Sequence, residues 1–216
     1  MRSLAAVFVF SMALWGQSSP HTIALNSIDG LKPVHVKTDV SEFHGRKAVH
    51  VIAPGNDSGV VLLPESLANG TVEIEVAGQP SPGSDPGARG FIGLAFRVQS
   101  DNHHYECFYI RPTNGRADDQ LRRNHSTQYT SEPDYPWYRL RKEFPGVYES
   151  YVDLEPATWT HLRIVADGKK AQLYVNHAAQ PCLIVNDLKG AASGAIALWV
   201  GSGTDGYFSN LSLTAK

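Results

Sequence analysis

The feature that most constrains this chain is a series of short apolar runs in which every second residue is hydrophobic. Turn dipeptides such as Asp29-Gly30, Asn69-Gly70 and Asp167-Gly168 separate the runs. The runs are 21–26, 33–37, 48–52, 59–63, 71–77, 90–98, 105–111, 148–153, 158–166, 171–176, 183–186, 194–200 and 207–213. Because no helical segment separates them, they predict an all-β fold of antiparallel sheets stacked as a sandwich or barrel.

The N-terminal residues have the three-part pattern of a secretion signal. Arg2 precedes an apolar run from Leu4 to Trp15, and small residues follow at 16–19. We therefore predict a signal peptide over 1–18, a single domain over 19–216 and a secreted or periplasmic bacterial protein. The formal net charge of −2 gives no electrostatic case for nucleic acid or a membrane surface as partner.

Two cysteines, Cys107 and Cys182, lie 75 positions apart. Export would permit a disulfide, but spacing alone does not show that the two sulfurs can meet. We expect two buried free thiols. No Cys-x-x-Cys pair occurs, so a thiol-ligated metal is not predicted.

The stretch 112–146 breaks the β pattern, and it is rich in rings and charges. Seven of the nine tyrosines fall between Tyr105 and Tyr151, together with Trp137. A long aromatic loop is expected to be ordered and functional. Rings beside Arg, Asp and His suit a sugar, which offers an apolar face and a rim of hydroxyls. Alternatively, the rings plug an edge of the sandwich and the charges pair locally, as Arg116 with Asp118 or Arg139 with Glu143. The segment 79–88, which lies between two of the predicted strands, is expected to be a simple solvated connection.

Carboxylates on strands are the candidates for glycosidic chemistry, which uses two of them about 5–9.5 Å apart. Glu73 and Glu75 have the spacing of one strand face, but a solvent-facing strand explains them better. Glu106 shares a face with Phe108 and Ile110. If that face is the core, Glu106 needs a buried partner such as Arg97. If that face is open to a ligand, Glu106 and Arg97 would clamp the hydroxyl groups of a sugar. Tyr105, Cys107 and Tyr109 would then point inward.

Several short motifs resemble the concanavalin A-like lectin/glucanase (jelly-roll) superfamily. They are Gly93-Leu-Ala-Phe-Arg97, Tyr105-Glu106, Trp159-Thr-His-Leu-Arg-Ile-Val, Tyr174-Val-Asn176, Gly194-Ala-Ile-Ala-Leu-Trp-Val and Phe208-Ser-Asn210-Leu. Within that superfamily the order of motifs is most similar to the 3-keto-disaccharide hydrolase-like domain. The resemblance implies an antiparallel two-sheet jelly roll with a concave glycan face carrying Arg97 and Glu106. Phe108 departs from the polar residue that this family often has there.

From these patterns we expect a carbohydrate-active domain that binds a glycan in a concave face covered by the 112–146 loop. If the domain is a glycoside hydrolase, it would also cleave that glycan. The expected catalytic residues are Glu106, Asp118 and His125. The expected substrate-binding residues are Arg97, Phe108, Arg111, Arg116, Asp119, Arg122, Tyr129, Trp137 and Tyr138. Two alternatives stay open: a lectin-like binding module without catalysis, and a jelly-roll polysaccharide lyase acting on a uronate-containing glycan.

No cofactor or metal is predicted. His103 and His104 are adjacent on a strand-like segment, so their rings should point apart. Asp118 and Asp119 could contribute to a structural calcium site, although no periodic set of oxygen ligands surrounds them.

Overall fold

The computed structural model describes residues 19–54 and 57–216, so the predicted signal peptide lies outside the described residues. Within this part the strands are β1 His21–Ile23, β2 Lys32–Val34, β3 Lys37–Phe43, β4 Arg46–Ile52, β5 Gly59–Leu67, β6 Gly70–Pro80, β7 Ile92–Val98, β8 Tyr105–Ile110, β9 Thr127–Glu132, β10 Glu149–Ser150, β11 Thr160–Asp167, β12 Lys170–Val175, β13 Leu183–Val185, β14 Gly194–Val200 and β15 Thr204–Ala215. The helices are a 3-10 turn at Pro112–Asn114, α1 Gln120–Asn124 and α2 Trp137–Glu143. None of the helices described is long and apolar enough to cross a membrane.

The strands form two antiparallel sheets that face each other. The first sheet has the order β13-β12-β11-β6-β15-β4-β3, with β1 also paired to β15. The second has the order β10-β9-β8-β7-β14-β5-β2. Strands that are far apart in the sequence are neighbours in the sheets, and β6, for example, pairs with β15. The sandwich therefore forms only when the N-terminal and C-terminal parts of the chain pair with each other. The predicted antiparallel sandwich is confirmed.

The core lies between the sheets and follows the period-two pattern. Val72, Ile74 and Val76 of β6 are at most 1% exposed, whereas Glu73 and Glu75 lie on the outer side. Phe96 and Phe108 of the second sheet are equally buried and stack on each other. Each such side chain stabilises the fold by roughly 1.5–3 kcal/mol relative to an exposed one. The alternation therefore builds the core and leaves the outer face of β6 to polar residues.

Each predicted run overlaps an observed strand, but two strands were not predicted. In β3 the sequence Lys-Thr-Asp-Val-Ser-Glu-Phe has no fully buried position, as suits an edge strand. In β9 the sequence Thr-Gln-Tyr-Thr-Ser-Glu is polar yet almost entirely buried. β9 pairs with β8 and carries β10 on its other side, so the 112–146 stretch adds a strand to the sheet. The expected loop is therefore two short helices flanking a strand.

The outer face of the second sheet carries a smaller apolar cluster. It includes Tyr105, Cys107, Tyr109 and Trp199, of which Trp199 stacks on Tyr109 at 4.6 Å between ring centroids. The reading in which Tyr105, Cys107 and Tyr109 point inward is corrected, because β8 turns its other face to the core. Cys107 and Cys182 are both free thiols.

Candidate functional site

Glu106, the expected acid, lies inside the sandwich. Its side chain is 0% exposed, so it does not lie on a ligand-accessible face. Tyr129 Oη donates a hydrogen bond to Glu106 Oε2 at 2.5 Å, and the Gly190 amide donates to Oε1. A Cβ on Gly190 would lie 2.9 Å from that oxygen, so glycine permits the close approach. Burial raises the pKa of Glu106, and these two donors oppose the rise.

Arg97 also faces the interior rather than a ligand. It is 2% exposed, and its guanidinium donates to the carbonyl oxygens of Ala68, at 2.6 Å, and Gly168, at 2.8 Å. It thereby joins the loop after β5 to the turn between β11 and β12. The implied placement of Arg97 and Glu106 on a concave glycan face is corrected, since both side chains are enclosed by the protein.

Two aromatic residues expected to bind substrate are likewise enclosed. Phe108 and Tyr129 are 0% exposed, and their rings lie 5.5 Å apart in the core. The predicted alternation of two faces along β8 is confirmed, but the alternation does not determine which of the two faces lies in the core. Phe108 therefore stabilises the fold, and Tyr129 serves as the hydrogen-bond partner of Glu106.

Three further predicted site residues are exposed on the surface. Asp118 is on the surface, and Tyr138 is 62% exposed. Arg116 pairs with Asp153 at 2.8 Å and with Glu155. The suggested local pair of Arg116 with Asp118 is thus replaced by a longer-range one, whereas the pair of Arg139 and Glu143 forms at 2.9 Å.

The remaining predicted residues converge on one cavity at an end of the sandwich. The cavity, called here the end cavity, has a volume of about 1010 Å³ and contains Arg111, Asp119, Arg122, His125 and Trp137. It lies where β4, β6, β8 and β14 end, so loops rather than a sheet face form its walls. The 79–88 segment is a largely exposed connection between β6 and β7, as expected, and most of it also lines the end cavity.

Arg111 is the most firmly held group of the end cavity. It is 5% exposed and donates to the His125 carbonyl at 2.9 Å, to Tyr109 Oη at 3.0 Å and to Gln128 Oε1 at 3.0 Å. Its guanidinium also lies 5.0 Å from the Tyr109 ring centroid. These contacts orient the side chain without neutralising it.

Arg122 and Arg89 place two more positive charges beside Arg111. Arg122 donates to Asn114 Oδ1 at 2.9 Å and to the Thr113 carbonyl, and Arg89 donates to backbone carbonyls of its own loop. Burial lowers the pKa of Arg89, and repulsion from Arg122 and Arg111 lowers it further against the attraction of Asp85. Within the described chain no carboxylate forms a salt bridge with any of the three arginines. The end cavity therefore has an excess of positive charge.

Asp119 and Asp85 are the carboxylates that line the end cavity, and both accept backbone N–H groups. Asp119 caps α1, where its Oδ1 accepts from the Arg122 amide at 2.7 Å. Asp85 Oδ1 accepts from the Gly87 amide at 2.6 Å. Both carboxylates therefore hold their own loops in shape.

His125 is the titratable group of the end cavity. Its Nδ1 lies 2.8 Å from Glu149 Oε2 but is not aligned for a hydrogen bond with it. Glu149 is instead engaged by Arg141, whose Nη2 donates at 2.7 Å. Burial lowers the pKa of His125, and the charges of Arg141 and Arg111 lower it further against the attraction of Glu149.

Trp137 provides an exposed ring at the rim of the end cavity. It is the first residue of α2 and is 44% exposed. Arg141, one turn later, lies with its guanidinium 4.9 Å from the Trp137 ring centroid. This contact fixes the ring while leaving much of its surface free for a partner.

Some cavity residues were missed by the sequence reasoning. They are Arg89, Phe91, Asn114, Leu121 and Arg141 among others. Leu121 is 67% exposed, which is unusual for an apolar side chain on a helix of five residues. Arg89 follows a Pro/Gly-rich loop, and a lone arginine in such a loop gives no signal of what it faces. Among the missed residues, Leu121 gave a signal, because it is an isolated apolar residue in a polar stretch.

Comparison with solved structures identifies the fold. A carbohydrate-binding module of the type CBM66 from Bacillus subtilis is similar over 86% of this chain and 96% of its own, with 14% identity and a TM-score of 0.60. A Bacillus subtilis protein of unknown function with a galectin-like fold is similar over 92% and 97%, with 9% identity and a TM-score of 0.59. Peanut lectin is similar over 92% and 98%, with 10% identity and a TM-score of 0.54.

At these identities the likeness shows the fold and not the function. The chain has the lectin-like, concanavalin A-type jelly roll, and the predicted fold class is confirmed. No protein-family model and no curated protein matches the sequence. What the end cavity binds must therefore be argued from its own residues.

Proposed function

We propose that the protein binds an oligosaccharide that carries negative charge, and that it does so in the end cavity. The observation that carries this proposal is the cluster of Arg89, Arg111 and Arg122, which line one cavity and form no salt bridge among the described residues. Asp85 and Asp119 line the same cavity and offset only part of this positive charge. Holding three like charges together costs free energy in the empty protein. An anionic ligand would remove that cost on binding.

Each arginine has donors left for a ligand. Within the described residues, Arg122 Nη1, Arg111 Nε and the Nε and Nη2 of Arg89 make no hydrogen bond to the protein. A carboxylate or sulfate group can accept two parallel N–H donors from one guanidinium, which makes the contact both strong and directional. Uronic acids and sulfated sugars are the saccharides that offer such groups.

The rest of the end cavity suits a sugar ring. Trp137 offers a flat, partly exposed ring against the apolar face of a pyranose, and the amide of Asn114 lies among the lining polar groups. A volume of about 1010 Å³ is at the upper end of ordinary ligand sites, so several sugar rings fit. The lectin and the carbohydrate-binding module that share the fold support a carbohydrate as ligand.

Binding is a better account than hydrolysis. A glycosidase places two carboxylates on either side of the scissile bond. Glu106 is enclosed in the core, and Asp119 and Asp85 already accept backbone N–H groups. We therefore propose a binding module, which an exported protein would use on glycans outside the cell membrane.

The test is a titration with pairs of glycans that differ only in charge, such as oligogalacturonate and its methyl ester, or a sulfated oligosaccharide and its desulfated form. We expect the charged member to bind more tightly, with an affinity that falls as salt rises. Trp137→Ala should weaken binding about tenfold, which is about 1.4 kcal/mol. Lys142→Ala, an exposed change on the same helix, is the matched control. Equal affinity for both members of each pair would contradict the anionic ligand.

A second candidate, elimination on a uronate, is favoured by the surroundings of His125. The His125 imidazole shares the end cavity with Arg111 and Arg122, and burial lowers its pKa, which favours a role as a base. In its neutral form it would take the C5 proton of a uronate whose carboxylate the arginines hold. The C4–O bond would then break, the leaving oxygen would receive a proton and a C4=C5 double bond would form. An increase in ultraviolet absorbance on incubation with polygalacturonate, lost in His125→Gln, would show this reaction. If the ultraviolet absorbance does not increase, glycan binding remains the only proposed function.

A further inference from the structure

The outer face of the first sheet carries a cluster that the end cavity does not use. Glu75, His161 and His177 each offer a ligand atom, and these atoms lie within 4.8 Å of one another. Backbone pairing brings them together: Glu75 of β6 lies opposite His161 of β11, and the Asn176 amide donates to the His161 carbonyl at 2.9 Å, which places His177 next to it.

His161 has an unsatisfied nitrogen. The residue is 9% exposed, and its Nδ1 is buried without a hydrogen-bond partner in the described structure. Its Nε2 lies 3.1 Å from Glu73 Oε2. A proton on Nε2 would be directed at that carboxylate, which leaves the lone pair on Nδ1. Because buried polar atoms nearly always have a partner, this nitrogen points to a missing one.

The other two members are free to complete a site. The His177 ring stacks on His161 with centroids 3.8 Å apart, and it is exposed, so its side chain can rotate. Glu75 Oε2 accepts from Arg46 at 3.0 Å, which leaves Oε1 without a protein partner among the described residues. Ligand atoms about 2.1 Å from a common tetrahedral ion lie about 3.4 Å apart, which is within the present spread of up to 4.8 Å. Because a ring nitrogen binds an ion in the plane of its ring, the exposed His177 ring must leave the stack with His161 to complete the site.

We propose that Glu75, His161 and His177 bind one divalent transition-metal ion, of which zinc is the best match. Two imidazoles and one carboxylate are a ligand set that zinc accepts in a tetrahedral site, with the fourth position left for water. Glu73 acts as the outer partner that holds the His161 ring in place, as carboxylates behind metal-binding histidines do.

This metal site is independent of the proposed glycan site. None of its residues lines the end cavity, and they lie on the outer face of the first sheet rather than in the loops that form the cavity walls. Failure of one proposal therefore says nothing about the other.

The test is a zinc titration of the untagged chain against a chromophoric chelator. We expect one ion per chain, and a loss of affinity of at least about tenfold in His177→Ala, because that residue is exposed and its replacement leaves the fold intact. His103→Ala removes an exposed histidine elsewhere and should bind zinc as the wild type does. Unaltered affinity in His177→Ala, or no saturable binding by the wild type, would overturn the proposal.

A second measurement examines the ligand set directly. Cobalt(II) in place of zinc should give visible absorption bands of a four-coordinate ion, and His177→Ala should change or remove them. Glu73→Gln should lower zinc affinity about tenfold, and Arg46→Gln should raise it by freeing Glu75. Bands typical of a fully hydrated ion in the wild type would also overturn the proposal.

Discussion

The two ends of strand β8 hold charged groups in contrasting ways. Glu106 stands near the start of the strand and Arg111 directly after its end, about 17 Å away. Both are buried, and both contact a tyrosine. At the first end, the chain itself supplies two donors for the carboxylate. At the second, three guanidinium groups share a cavity with no ion-paired carboxylate in the described chain.

This difference in hydrogen-bond and charge partners indicates separate roles for Glu106 and for the arginine cluster. A buried charge whose partners come from the protein helps to define one packed arrangement, and removing it leaves the partners unsatisfied. A cluster of like charges is unfavourable for the folded protein alone and favourable once an opposite charge binds. We therefore assign Glu106 to the fold and the arginine cluster to the ligand.

The largest expected effect is on Glu106. Replacement by Ala should lower the free energy of unfolding by about 3 kcal/mol, because Tyr129 Oη and the Gly190 amide lose their acceptor and a void remains. Replacement by Gln keeps the shape and one acceptor, so it should cost less. Urea denaturation measures both. An anionic glycan should bind the folded part of either variant with wild-type affinity; a selective loss of binding would return Glu106 to the ligand site.

A smaller and opposite effect is expected at Arg89. Replacement by Gln removes one of three repelling charges, so the free energy of unfolding should stay constant or rise slightly. The same change should weaken binding of a charged oligosaccharide about tenfold, since an arginine–anion contact is lost. Denaturation and calorimetric titration of one preparation measure both quantities. The matched control is Arg116→Gln, which removes an exposed arginine outside the end cavity; if it weakens binding equally, the effect is one of net charge.

The smallest effect is the pH dependence of stability. The pKa of Glu106 is raised above 4.5, so its contribution to stability is present below pH 4.5 and is lost as the pH rises through the folded-state value. The pKa of His125 is lowered below 6.5, so its contribution is present above pH 6.5 and is lost as the pH falls through the folded-state value.

Urea denaturation across pH 4–8 separates the two groups. Glu106→Gln should flatten the stability profile above pH 4.5, and His125→Gln should flatten it below pH 6.5. The two pH ranges overlap, but the signs differ: Glu106 makes stability fall as the pH rises, whereas His125 makes stability rise. If Glu106→Gln does not remove a falling slope, or His125→Gln does not remove a rising one, the contrast between the two ends of β8 does not hold in solution.

Most of the fold followed from the sequence, because burial of one strand face leaves a direct mark on residue order. The run at 194–200 is β14 to the residue, and the hairpin of β11 and β12 turns at the predicted Asp167-Gly168. β3 and β9 escaped because their sequences are polar. β3 lies at an edge, and β9 is buried by chain that comes from elsewhere.

The candidate site was predicted in part. Arg111, Asp119, Arg122, His125 and Trp137 meet in the end cavity, as their place in an aromatic, charged stretch suggested. Of the residues that were missed, Arg141 lies in the same stretch, one turn after Trp137 on α2, whereas Arg89 lies in a distant loop where nothing local marks it.

The sequence by itself determined that β8 alternates and that Glu106 and Phe108 share a face. Only the tertiary structure decided that this face is the interior. An alternating pattern shows which residues share a face of a strand, but it does not show which of the two faces the opposite sheet covers. The tyrosine-rich stretch is therefore two things in space: an inner part, with Tyr129, that satisfies Glu106, and an outer part, with Trp137, that borders the end cavity.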